Sequence, residues 1–173
     1  MNELDALSLA VKREKEAHQY YSEAAARSTS ETGRKMFSWL ASEEEGHLKI
    51  LEKQWEEIKG SGKWLSEAGW CTYGNISNPV ECTEFPEASE AKGEPKPDAP
   101  ELEILKKAIE DEREASAYYA DLAKSTTDPN GKAMLEKLSK VEQGHLDLLE
   151  EEHQWLSKSK DMFTIHRFTL PPR

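Results

Sequence analysis

A glutamate and a histidine three residues apart on a helix present a carboxylate and an imidazole to one point, because that spacing covers less than a turn. Such a pair occurs in WLASEEEGHLKILEKQW as Glu44 and His47, and again in KLSKVEQGHLDLLEEEH as Glu142 and His145. The two pairs are 98 residues apart (142 − 44), and at that offset residues 10–55 align with 108–153 without a gap. Matches include Glu14/Glu112, Ala17/Ala115, Tyr21/Tyr119, Gly33/Gly131, Met36/Met134 and Leu40/Leu138, so a helical hairpin is present twice. Both Glu-x-x-His pairs fall on apolar stripes: Phe37, Leu40, Glu44, His47, Leu51, Trp55, Ile58 and Leu135, Leu138, Glu142, His145, Leu149, His153, Leu156. One further carboxylate interrupts each remaining stripe, Glu14 among Leu7, Val11, Ala17, Tyr21 and Ala24, and Glu112 among Leu105, Ile109, Ala115, Tyr119 and Leu122. An unpaired buried carboxylate costs several kcal/mol or is neutralised, and no Lys or Arg shares these stripes. Cations must supply the missing charge. Hard oxygens with one imidazole per metal suit Fe or Mn and also admit Zn.

Periodicity and punctuation predict four helices of similar length to position these residues, at 3–28, 31–59, 99–126 and 129–158. Ser30 can cap the second helix, and Asp128 followed by Pro129 starts the fourth. The links STSETG and TTDPNG are short, so each pair is expected to be an antiparallel hairpin. A long connection rich in Gly, Pro and Ser, residues 60–100, separates the pairs and suits a crossover along a bundle. Trp64, Trp70, Tyr73 and Phe85 are expected to pin its first part, whereas Glu87 to Pro100 has the composition of a mobile segment. The expected fold is all-α, a four-helix bundle of two duplicated antiparallel hairpins joined by a long crossover, as one domain over 1–173 with a C-terminal tail at 159–173.

Composition narrows the function. A net charge of −11 over 173 residues with no basic stripe argues against a nucleic-acid partner. No apolar run is long enough to span a membrane, and the acidic amphipathic start MNELDALSLAVKREKE lacks a signal-peptide pattern, which points to a cytoplasmic location. Cys71 and Cys82 are the only cysteines, too few for a disulfide framework or a CxxC-built metal site; free thiols or one loop disulfide are both open. Glu16, Glu43, Glu45 and Glu114 are read as a solvated face, and His18, His153 and His166 fall outside the sixfold set.

The motif ExxAxxxY in EKEAHQYY (Glu14, Ala17, Tyr21) and EREASAYY (Glu112, Ala115, Tyr119), each followed by ExxH in EEGH and EQGH, resembles the rubrerythrin-like branch of the ferritin-like di-iron carboxylate superfamily. The resemblance covers nearly the whole chain apart from the crossover and the tail. It implies a ferritin-like bundle in which Glu14, Glu44, His47, Glu112, Glu142 and His145 bind two Fe ions, with Glu44 and Glu142 bridging. It also implies that Tyr21 and Tyr119 hydrogen-bond to ligand carboxylates. The implied activity is a di-iron oxidoreductase that reduces peroxide or dioxygen, of peroxidase or ferroxidase type, linked to oxidative stress and acting as a homodimer. The chain departs from the family pattern twice. Rubrerythrin proper has a further glutamate where this chain has Ala115, and it ends in a rubredoxin module that is absent here, so the electron donor would be a separate protein such as a rubredoxin. The alternatives are a non-enzymatic iron-handling protein and a structural bundle filled by Zn.

Overall fold

The computed structural model describes residues 2–74, 76 and 99–158. Two helical hairpins, α1 (Glu3–Arg27) with α2 (Glu31–Ser61) and α4 (Ala99–Ser125) with α5 (Pro129–Lys158), form an all-α, ferritin-like bundle. A one-turn helix, α3 (Glu67–Trp70), follows α2 and carries no periodic signal of its own. The four long helices match the expected spans to within two residues at every end.

Side chains fix where the helices begin. Asn2 Oδ1 accepts from the Asp5 amide at 2.8 Å and Ser30 Oγ from the Gly33 amide at 2.8 Å. Asp128 Oδ1 takes the Asn130 and Gly131 amides at 2.8 and 3.2 Å, as its place before Pro129 predicts. Helix α2 stops at Gly62, whose φ of 71° suits a residue without a Cβ.

The four apolar stripes meet in two packed groups. Leu7, Leu51, Leu135 and Leu138 belong to one; Phe37, Leu40, Leu105 and Leu149 belong to the other. Toward the C-terminal ends of α2 and α5 the buried positions differ from expectation. Trp55 and His153 are only half-buried, while Gln54 and Glu152 are buried. The reason is geometric: at about 100° per residue, two steps of four overshoot by about 80°, whereas a step of seven lags by only about 20°.

An approximate two-fold relation links the halves. Tyr118 Oη donates to the Ala6 carbonyl at 2.7 Å, and Tyr20 Oη donates to the Ile104 carbonyl at 2.8 Å. Donors and acceptors are both related by the repeat offset, so α1 and α4 exchange equivalent bonds in opposite directions.

The connection after α2 is anchored by Trp64 and Trp70, both buried as expected. Tyr73 is not an anchor: it is 44% exposed and packs its ring near Lys53 Nζ, because α3 turns the chain so that Trp70 and not Tyr73 faces the core. Phe85, Cys82, residues 87–98 and the tail at 159–173, including His166, lie outside the described residues. Cys71 is exposed and is a free thiol. Trp64 covers Gly131 so closely that an added Cβ would collide with the indole. Gly131→Ala is expected to lower stability by about 1–3 kcal/mol through overpacking. Urea unfolding checks this, and an unchanged midpoint would mean that Trp64 moves away freely.

Candidate metal centre

Glu14 from α1, Glu44 and His47 from α2, Glu112 from α4, and Glu142 and His145 from α5 converge between the two apolar groups, none more than 3% exposed. They form two overlapping sets. Donor atoms of Glu14, Glu44, His47 and Glu142 lie within 4.8 Å of one another, and so do those of Glu44, Glu112, Glu142 and His145. Glu44 and Glu142 belong to both sets. All six residues selected from sequence are thus brought together.

Each imidazole turns Nδ1 toward the carboxylates. His47 Nδ1 lies 3.1 Å from Glu142, 3.3 Å from Glu44 and 3.6 Å from Glu14. His145 Nδ1 lies 3.1 Å from Glu142, 3.2 Å from Glu44 and 3.9 Å from Glu112. One nitrogen carries at most one proton, so neither histidine can satisfy three oxygens. Glu14 Oε2, Glu44 Oε1 and Glu142 Oε1 are buried without a hydrogen-bond donor. A cation at each set would serve these orphaned oxygens together, and the mix of carboxylate and imidazole is one that divalent transition metals accept.

Protons carry the compensating charge in the metal-free protein. Burial, and then the charges of Glu44 and Glu142, push the carboxyls of Glu14 and Glu112 well above their ordinary value. Burial acts the same way on Glu44, but hydrogen bonds with His145 and His47 outweigh it and hold that carboxyl well below the ordinary value. Burial disfavours both imidazolium ions; the surrounding carboxylates more than offset it and raise His47 and His145. A divalent ion would replace those protons.

Tyr21 and Tyr119 are buried and bond crosswise: Tyr21 Oη donates to Glu112 Oε1 and Tyr119 Oη donates to Glu14 Oε1. Burial raises both phenols, so each stays a donor. The ExxAxxxY spacing shows that a tyrosine lies near a glutamate, yet not that it serves the glutamate of the other hairpin. Tyr21→Phe and Tyr119→Phe should each cost the metal-free protein about 1–3 kcal/mol, because a buried acceptor loses its donor. Equal losses in urea unfolding would match the two-fold relation; a loss in only one variant would contradict it.

Between α1 and α4 a recess of about 450 Å³ leads from the surface to Glu14, Glu44, Glu112 and Glu142. Ala17 and Ala115 line it, and Lys12, Arg13 and Lys107 lie among its charged residues. Small side chains at both repeat positions leave this space open.

The remaining candidates divide. Glu16, Glu45 and Glu114 are exposed as expected. Glu43 is not on a solvated face: it is half-buried, and its Oε2 is buried with no hydrogen-bond partner. His18 spends Nδ1 on the Ala41 carbonyl at 2.8 Å, and His153 is half-buried outside the centre. Among the described residues no helix is long and apolar enough to cross a membrane.

The family model described as Rubrerythrin matches residues 5–69, the first hairpin and its Glu14, Glu44 and His47. Among curated proteins no match was found. A solved structure titled "Hypothetical Protein Pfu-1136390-001 From Pyrococcus furiosus" is similar with a TM-score of 0.68 over 94% of each chain, at 20% sequence identity, which is a likeness of fold. The first hairpin matches the Rubrerythrin family model, and the second carries the same ExxAxxxY and ExxH residues at the repeat offset, so the chain is similar to that family over the hairpin that holds Glu14, Glu44 and His47.

Proposed function

We propose that the protein is a non-haem di-iron oxidoreductase that reduces peroxide or dioxygen, with Glu14, Glu44, His47, Glu112, Glu142 and His145 as metal ligands and Glu44 and Glu142 shared. The observation that carries this reading is the pair of overlapping donor sets, closed by two imidazoles and left with orphaned oxygens that one cation in each set would serve together. Two bound Fe(II) ions would supply two electrons, which with two protons reduce one hydrogen peroxide to two waters.

The chain's own residues do the rest. The four carboxylates offset the charge of two divalent ions, and each imidazole adds a neutral donor to one set. Tyr119 holds Glu14 by Oε1 while Oε2 faces His47, and Tyr21 holds Glu112 by Oε1, so both bonds limit how those carboxylates can rotate. The recess beside Ala17 and Ala115 admits a small oxidant from the side of α1 and α4. Packed apolar groups close the bundle on either side of the centre along its length. Electrons for a second turnover come from a separate donor protein such as a rubredoxin.

The test begins with anaerobic Fe(II) titration of the metal-free protein, where two irons per chain are expected. Peroxide or dioxygen is then added with a continuing supply of reductant. Repeated turnover supports an enzyme; a single oxidation that stops would assign the chain to iron handling instead. One iron or none would remove the dinuclear reading altogether.

A further inference from the structure

The two halves of the centre are not equivalent beyond the six ligating candidates. Counting by the repeat offset, Glu43 on α2 corresponds to Val141 on α5, which is 1% exposed and belongs to the core. A carboxylate therefore stands on one side where an aliphatic group stands on the other.

Three observations place Glu43 opposite His145. Trp39, Glu43 and His47 follow one another at four-residue steps and share a face of α2. The rings on both sides of Glu43 in that row lie against the His145 imidazole: Trp39 edge-on at 5.5 Å and His47 stacked at 5.8 Å between centroids. His145 spends Nδ1 on the carboxylate cluster, so Nε2 is turned away from it, and both His145 Nε2 and Glu43 Oε2 are buried without a hydrogen-bond partner. One side offers an N–H donor and the other an acceptor, on facing elements. A rotamer change of the glutamate or one bridging water links them.

We infer that Glu43 is a positioning residue for His145: it accepts the Nε2 proton, fixes the tautomer that leaves Nδ1 free to bind a metal, and makes the His145 side of the centre the tighter one. This rests on the proposed dinuclear site. An imidazole whose outer N–H is held by a carboxylate is a better-oriented and more basic ligand, and loss of such a partner typically weakens metal affinity about 10–100-fold. His47 has Val141 at the corresponding place and gains no such support. The two metal positions would then differ although the ligands match one for one.

The experiment uses Co(II) as the probe, with the full metal-free chain competing against a chromophoric chelator. Glu43→Val, which copies the other repeat, should weaken the tighter of the two Co(II) sites by about 10–100-fold and leave the other near its parent affinity, and Glu43→Gln, which keeps an acceptor but not the charge, should lose less. In a His145→Ala background Glu43→Val should change Co(II) affinity by less than about twofold, because the group it serves is gone. Equal affinity for parent and Glu43→Val, or an equal loss with and without His145, overturns the inference. Thermal unfolding of the metal-free variants separates it from a purely structural role, and Glu43→Gln keeps the test available should the valine variant not fold. A parent chain that fails to bind two Co(II) would instead overturn the dinuclear reading on which this inference stands.

Discussion

Replacing Glu142 by alanine is expected to abolish binding of both metals, whereas replacing Glu14 should remove only one. Glu142 belongs to both donor sets, lying 3.1 Å from the Nδ1 atom of each histidine, while Glu14 contributes to the His47 set alone. Fe(II) titration of the two variants beside the parent should read none, one and two per chain. The same contrast should appear in stability. A ligand present at about 100 times its dissociation constant adds about 2.7 kcal/mol per site, so the parent gains roughly twice what Glu14→Ala gains and Glu142→Ala gains nothing. Equal losses in the two variants would mean that the carboxylates are not divided into shared and unshared members.

Glu152→Gln should stabilise the protein at pH 8 by a few kcal/mol and leave it nearly unchanged at pH 5. Glu152 is 3% exposed near the C-terminal end of α5, and its Oε1 has no hydrogen-bond partner. Burial, with smaller contributions from Glu151 and Glu101, raises its carboxyl from 4.5 to about 8. The folded state therefore keeps a proton that the unfolded chain releases above 4.5. The stability linked to this group is whole below about 4.5 and is lost as pH rises through about 8, on the order of 5 kcal/mol for the full span. Glutamine has the same shape and does not ionise. The repeat-related position already holds it: Gln54 is fully buried and its Oε1 accepts the Leu65 amide at 3.0 Å. Urea unfolding of both proteins at pH 5 and pH 8 gives the answer, and an equal gain at both pH values would show that the carboxyl is not what penalises the folded state.

The sequence is most informative where one residue does one local job. Ser30, Asp128 and Pro129 mark helix starts because capping depends on a few neighbouring atoms. The six buried Glu and His residues stand out because the repeat shows them twice and the stripes place them inside. Other features depend on relations between helices. The crosswise tyrosine bonds follow from the approach of α1 to α4, which no local pattern encodes. Glu43 reads as a surface residue because it precedes a stripe position; only the rotation of α2 against α5 turns it inward. Gln54 and Glu152 escape a stripe drawn with two successive steps of four, which outruns the true turn of the helix. Tyr73 loses its expected anchoring role to the short turn of α3, which the pattern does not signal.

The crosswise bonding of Tyr21 and Tyr119 also bears on how such a chain could arise and assemble. A lone hairpin with Glu14 and Tyr21 holds an acceptor without its donor and a donor without its acceptor. Two copies related by a two-fold axis satisfy both at once, since the contact is isologous. The duplicated chain thus has the logic of a hairpin homodimer fused into one polypeptide, in which the connection raises the effective concentration of the halves without contributing any of the six candidate ligands. Two separately produced halves, 1–76 and 99–158, should accordingly find each other and rebuild the centre by complementation.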